Sequence, residues 1–450
     1  MTSIASALPR RVWLPLILAA GVGSSLWVRM HNAVHYPLDW GFDAKYNWRY
    51  IIALSRQWHL PAPDAGWATA DPPLYFALSA LLVRLAPERL MWVAALNLVL
   101  GFAIAALAVG LVRRIAPEAP NRAWLAGGLV LFLPAHVMMS AMINEEMLTA
   151  AGVSTLLFLV AHPARRDEAT PPAVRRGAFA GLAGGLAWFS KFTAAIGIAV
   201  AALALADDAR RRKSPGLGLR VLAAFALCVM LAGGWFYLRN IFVYGYLQPY
   251  GLPAHQLMFE MPPGTRGLLD YLRFPLATFS DPQLLNPELL RSVWGSLYAS
   301  VWFDAHRSFL PTESEAVRQL GSLTLVLALL PTAAFAVGLV RALPRAWRGD
   351  PVDGPLVALT GLTFVGFAYY TWRNPWFAVI KGTSLLSLCL PYAVYASESL
   401  TRWGRRPAAA AGLAMVLLAL AGCVVVSGTF DGWFVRDEVS GLPWRSVEAR

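Results

Sequence analysis

HYPLDWGFDAKYNWRYIIALSRQWHLPAPDAGWATADPPLY, residues 35–75, is the longest polar interval near the N-terminus and lies between two strongly apolar runs. It gathers Asp39, Asp43, Lys45, Arg49, Asp64 and Asp71. Reading it as a soluble segment or as a loop between membrane helices decides the fold, and composition answers. Of the 450 residues 57% are hydrophobic and 14% charged, with a mean hydropathy of +0.52; soluble domains carry about 25% charged residues. Apolar runs recur along the whole chain and leave no room for a separate soluble domain. The expected architecture is all-α: a polytopic transmembrane helical bundle forming one membrane-embedded domain over 1–450, with a first outer loop at 30–73 and a long outer loop at 239–318. The net charge of +12 sits in short basic clusters between apolar runs, as membrane topology signals do, so no nucleic-acid partner is expected. Cys228, Cys389 and Cys423 all fall inside apolar runs and define neither a disulfide framework nor a metal cluster.

The positive-inside rule orders the runs. Arg10 and Arg11 precede 12–28, which reads as an uncleaved first span, leaving the N-terminus in the cytoplasm and 35–75 outside. Residues 74–85 are apolar but make a helix of only about 18 Å, against about 30 Å of hydrocarbon. They read as a re-entrant or juxtamembrane helix; a full crossing would put Arg113 and Arg114 outside. The runs 91–112, 123–140, 147–161, 219–238, 320–340, 356–372, 384–396 and 408–426 then alternate with every basic loop inside. One condition is that 177–206, basic on both flanks, forms two short spans meeting near Ser190 and Lys191. The total is about eleven crossings plus the re-entrant helix. Gly177, Gly181 and Gly185 make a small-residue face for close helix approach. Compact basic loops point to a bacterial inner membrane.

Within the first loop, 44–58 has Trp48, Ile51, Ile52 and Leu54 at helical spacing with Lys45, Arg49 and Arg56, which suits an interfacial helix ended by Pro61 and Pro63. WGSLYASVWF at 294–303 reads as a second interfacial helix. Asp43 stands at the start of the first, where capping is the plain alternative to chemistry. His31, His35, Asp39 and Asp43 recur every four residues like metal ligands, but Pro37 and Gly41 interrupt any such helix.

The topology returns Asp39, Asp43, Asp71, Asn144, Glu145, Glu146, Lys191, Arg239, Asn240, Arg373 and Lys381 to one boundary. Carboxylates and cations gathered there suit a reaction on an anionic, lipid-borne substrate: a carboxylate handles the acceptor proton and cations neutralise a phosphate. Helix caps and snorkelling anchors are the plain alternatives for these groups.

GFDAKYNWRY at 41–50, DPPLYF at 71–76, Pro134 with NEE at 144–146, GLAWFSKFTA at 185–194, WFYLRNIFVYG at 235–245 and IKGTSLL at 380–386 together resemble GT-C superfamily glycosyltransferases. The resemblance is to the branch of protein mannosyltransferases and lipid A aminoarabinose transferases, and covers most of the chain in order. It implies a GT-C-like fold, a polyprenyl-phosphate-linked monosaccharide donor, a glycan, lipid or protein acceptor, and inversion at the anomeric carbon. Asp43 matches the first acid of the family's Asp-Glu pair, and Ala44 stands where the second would be. Glu145 matches the acidic position after the third family helix, and Lys191 and Arg239 match its basic boundary positions. The expected assignment is therefore Asp43 as catalytic residue, with Lys191, Arg239, Glu145, Asn144, Asp71 and Lys381 binding donor phosphate or substrate. No cofactor is required; some relatives use a divalent cation such as Mg or Mn and others do not. A lipid or sugar transporter is the competing class, a non-catalytic assembly subunit the third. Sugar transfer separates the enzyme from both, and substrate counterflow would favour the transporter.

Overall fold

The computed structural model describes residues 10–36, 41–86, 91–163, 170–248, 261–306, 315–403 and 405–427. Among them it is all-helical, without a strand. The first half holds α1 (Arg10–His35), α2 (Ala44–Gln57), α3 (Leu74–Leu85), α4 (Met91–Ile115), α5 (Pro120–Leu131), α6 (Pro134–Met139), α7 (Glu146–Val160), α8 (Thr170–Trp188) and α9 (Ala195–Arg211). The second half holds α10 (Pro215–Val229), α11 (Trp235–Tyr244), α12 (Ala277–Ser280), α13 (Pro287–Leu290), α14 (Val293–Trp302), α15 (Glu315–Trp347), α16 (Asp353–Arg373), α17 (Cys389–Arg402) and α18 (Arg405–Ser427).

Five stretches are helical, long and apolar enough to cross a membrane: Met91–Ile115, Phe192–Arg211, Pro215–Tyr244, Glu315–Trp347 and Phe377–Arg402. Leu74–Leu85, Glu146–Val160 and Ala409–Val425 are apolar but shorter. The chain is an integral membrane protein. Arg165, Arg166 and the segment after residue 427, which entered the topology reading, lie outside the described residues.

The polar first loop folds as a helical hairpin. Trp48, Ile51 and Leu54 of α2 pack against Tyr75, Phe76, Ala80 and Val83 of α3, closed by Val93 and Ile143. The apolar stripe of α2 thus faces α3 rather than lying open to lipid. WGSLYASVWF also differs from expectation: Leu297, Tyr298, Ala299 and Trp302 of α14 are buried, and the Tyr298 hydroxyl donates to the Leu325 carbonyl of α15 at 2.6 Å. A short helix apolar all round satisfies an interface and a protein core equally in sequence.

The expected break at Ser190 and Lys191 is present. α8 ends at Trp188, Lys191 takes an extended conformation, and a 3-10 turn at Phe192–Ala194 starts α9. The small-residue face of α8 meets α10: a Cβ built on Gly181 would lie 2.2 Å from the Phe225 carbonyl oxygen. That atom is backbone and cannot step aside as a side-chain tip would. Gly181→Ala is therefore expected to destabilise the protein by about 1–3 kcal/mol through overpacking, seen as a lower thermal midpoint in detergent. An unchanged midpoint would mean that α8 and α10 separate freely.

At the end of the bundle away from α2 and α3, a buried ion-pair node ties four helices. Glu398 of α17 meets Arg122 of α5 at 3.5 Å, Arg345 of α15 at 3.2 Å and Arg402 at 2.8 Å. Arg345 also pairs with Asp353 of α16, which accepts from the Tyr395 hydroxyl at 3.1 Å. α1 is pinned by Arg29, wholly buried and donating to Leu131 O and Ser140 Oγ, with His136 Nδ1 at 2.8 Å.

Candidate active site

Asp43 sits in a left-handed turn, with Gly41 at φ 103° and Asp43 itself at φ 59°. Its backbone carbonyl starts α2 by accepting from Tyr46 and Asn47, but its carboxylate makes no capping bond. The capping role is not taken. Oδ2 instead accepts from Lys381 Nζ at 2.5 Å and Oδ1 from Trp67 Nε1 at 3.1 Å. The side chain keeps 36% of its exposure, so one part of it stays open. Burial opposes its charge, but Lys381, Lys191 and the Trp67 N–H outweigh that and hold its carboxyl below the ordinary aspartate value.

Lys381 comes from the other half of the chain, on the extended residue before the 3-10 stretch Gly382–Leu388 that leads into α17. That stretch is seated on α14: the Gly382 N–H donates to Ser300 Oγ at 2.7 Å, and a Cβ on Gly382 would lie 2.5 Å from the Ser300 carbonyl oxygen. His306 steadies it from the side. Its Nε2–H donates to the Ile380 carbonyl at 2.5 Å, and its ring meets the edge of Phe42 at 4.8 Å, under the Lys381 ammonium. Burial pushes the His306 imidazole down to about 4, so it is neutral at physiological pH.

The second part of the site is the turn before α7. Asn144 is buried, and its side chain is fully employed: Oδ1 accepts from the N–H groups of Glu146 and Met147, and Nδ2 donates to Met139 O and Met142 O. It positions the two glutamates, and its side-chain donors and acceptor are all engaged within the turn. Lys191, at the α8–α9 break, bridges Glu145 Oε1 at 2.6 Å and Glu146 Oε1 at 2.8 Å. Thr383 donates to Glu146 Oε1 at 3.3 Å, joining this part to the Lys381 stretch. Burial works against the Lys191 charge, but Glu145, Glu146 and Asp71 overcome it and hold the ammonium above its ordinary value.

Asp71, four residues before Tyr75 of α3, interacts with Glu145, Lys191, Asp43 and Glu146, and its carboxylate makes no hydrogen bond among the described residues. Burial, and then Glu145, push its carboxyl up from 3.8 to about 7, with Lys191 pulling the other way. The cluster therefore sets four carboxylates against two ammoniums. A raised carboxyl favours the protonated folded state, so the stability this group contributes is complete below about pH 4 and lost as pH rises through 7. Against Asp71→Asn, the wild-type thermal midpoint is expected to fall between pH 6 and pH 8; parallel profiles would contradict the raised proton affinity.

Arg239 is not drawn into this cluster. It donates to Asn240 Oδ1 and to the Tyr244 hydroxyl, each at 3.3 Å, and lies over the Tyr244 ring. It has no carboxylate partner among the described residues, yet it and Asp71 both act electrostatically on the Tyr50 hydroxyl. Arg373 is exposed. The His31, His35, Asp39, Asp43 series does not assemble: His31 and His35 stack on each other at 4.0 Å on α1, Asp43 is with Lys381, and Asp39 lies outside the described residues. No group of three or more His, Cys, Asp or Glu among the described residues is placed to hold a metal ion. Lysines occupy one oxygen each of Asp43, Glu145 and Glu146. Trp67, Thr383 and His306 join the site without having been assigned a role in it from the sequence, and Glu146, collected there only as a boundary carboxylate, pairs with Lys191.

No protein-family model and no curated protein sequence matches the chain. Solved structures do. An oligosaccharyltransferase from Archaeoglobus fulgidus in the apo form aligns over 95% of this chain at 15% identity and a TM-score of 0.52. The oligosaccharyltransferase AglB of the same organism, in complex with an inhibitory peptide and a dolichol-phosphate, aligns over 96% at 14% identity and a TM-score of 0.51. The chain spans 57% of the length of each. ArnT from Cupriavidus metallidurans bound to undecaprenyl phosphate aligns over 88% of this chain and 79% of its own at 17% identity. Its TM-score of 0.41 is too low to add to the fold assignment. The fold is that of the two oligosaccharyltransferase structures over nearly the whole of this chain.

Proposed function

We propose that the chain is a membrane glycosyltransferase that moves a monosaccharide from a polyprenyl-phosphate donor to an acceptor at the extracytoplasmic face, with inversion. The observation that carries this reading is the joining of Asp43–Lys381 to Glu145, Glu146 and Lys191 at one end of an apolar helical bundle of GT-C-like fold. The sequence reading of about eleven crossings with the basic loops inside supports an extracytoplasmic position for that end, and a bacterial inner membrane suits it.

In the reaction, an acceptor hydroxyl or amine hydrogen-bonds to the open side of Asp43. Its lone pair attacks the anomeric carbon as the bond from that carbon to the phosphate oxygen breaks, and the acceptor proton passes to the carboxylate. Polyprenyl phosphate leaves as an anion and needs no general acid. Arg239 has no carboxylate partner among the described residues, which fits it to meet the donor phosphate; Lys191 and Lys381 add to the field while keeping their carboxylates in place. Asp71, with a carboxyl near neutrality, is suited to take the proton onward. No step is assigned to a divalent cation.

Purified protein in lipid, offered a panel of radiolabelled polyprenyl-phosphate sugars with crude membrane extract as acceptor, tests the proposal. Donor consumption supports it. Absence of consumption for every donor, with counterflow of one of them, would replace it with a transporter.

A further inference from the structure

Between Gly267 and Ala277 the usual partition of side chains is inverted. Leu268, Leu269, Leu272, Phe274 and Leu276 are between 46% and 82% exposed, while Asp270 and Arg266 are turned inward and buried. Asp270 accepts from the Gly267 N–H at 3.0 Å and pairs with Arg291 at 3.6 Å. Single exposed leucines are ordinary, but an apolar row with Asp270 and Arg266 turned inward behind it and Arg273 as its one exposed charge is not a surface made for water. The segment is also fixed in height. The Tyr271 hydroxyl bonds to Ala368 O at 3.2 Å and Thr371 Oγ1 at 2.9 Å in the last turn of α16, and the Tyr271 and Trp372 rings are 5.9 Å apart. From the other side, Trp294 Nε1 donates to the Tyr271 carbonyl at 3.0 Å. The outward face of α16 at this level carries exposed Val365, Tyr369, Tyr370 and Trp372, an aliphatic stretch ending in aromatics as spans do at the headgroup level.

We infer that residues 267–276 form a ledge inserted into the bilayer leaflet at the site end of the bundle, continuing the lipid-facing band of α16. Its partner is the acyl and glycerol zone of the lipid. Arg273, the exposed charge within the row, has the long stem needed to reach a lipid phosphate from that depth. The inference stands apart from the proposed reaction, since it rests on exposure and on packing against α16 alone.

Site-directed spin labelling of the full chain in phosphatidylethanolamine vesicles with a minor phosphatidylglycerol fraction tests it. In a Cys228→Ser, Cys389→Ala, Cys423→Ala background, labels go on Leu272→Cys and Leu276→Cys. Val365→Cys is the lipid-facing control and Glu288→Cys the water-facing one. At 272 and 276, oxygen is expected to relax the label more than a nickel chelate does, as at 365. Greater relaxation by the chelate, as at 288, would overturn the inference, and so would exclusion of both agents, which would mean that protein covers the ledge. Comparable thermal midpoints across the labelled set establish that the fold is the same in each.

Discussion

Asp43→Asn is expected to lower sugar transfer by about 10²–10⁴-fold, the usual contribution of a positioned proton acceptor, with folding and donor binding intact. The substitution is clean on three counts. Asparagine tolerates the left-handed backbone that residue 43 adopts. Its amide oxygen can still accept from Trp67. The lost ion pair with Lys381 involves a side chain 36% exposed, so solvent screening limits the stability at stake to about 1 kcal/mol or less. A large loss of rate beside a small loss of stability is what a reacting group produces. Lys381→Met supplies the contrast, because it breaks the same pair and leaves the carboxylate in place. If both variants lost activity only in proportion to folded protein, Asp43 would be a structural partner; turnover at the wild-type rate in Asp43→Asn would end its assignment outright.

Glu398→Ala is expected to cost about 3–5 kcal/mol, the range for breaking a buried ion pair, and to lower the thermal midpoint more than any other single change considered above. Arg345 keeps Asp353, and Arg402 can turn to water. Arg122, mostly buried, keeps only the Val394 carbonyl. Uncompensated burial of that guanidinium is the main cost. Because the node lies at the end of the bundle away from Asp43, transfer per folded molecule should not change. Adding Arg122→Leu to Glu398→Leu should recover much of the loss, since a hydrophobic replacement of a whole buried pair is often neutral or better. A midpoint that does not move in Glu398→Ala would show that water already reaches the node.

The helices were legible because each apolar run is bounded by charge or proline, and the break at Lys191 was legible because basic clusters flank both sides of 177–206. Long-range pairing was not. Nothing in the sequence says that Asp43 meets Lys381 rather than capping α2, or that Asn144 is spent on the turn before α7. Glu398 and Asp353 passed unnoticed because they stand beside basic clusters that served as topology marks, where their own pairing is invisible. The burial of α14 was missed because aromatic residues mark interfaces and cores alike. Whether the Arg239 guanidinium comes close to the lysines depends on side-chain direction within α11, which a sequence does not carry.

Asp43 and Lys381 are 338 positions apart. At roughly 5–20 residues per second of synthesis, the aspartate emerges some tens of seconds before the lysine that will hold it. For the latter part of that interval, once residue 191 has been made, Lys191 is the sole cation of the finished cluster beside Asp43, Asp71, Glu145 and Glu146. The protein is thus timed as well as shaped: a nascent chain halted before Lys381 already holds Asp43, Glu145, Glu146 and Lys191, yet lacks the ammonium that Asp43 meets in the finished fold.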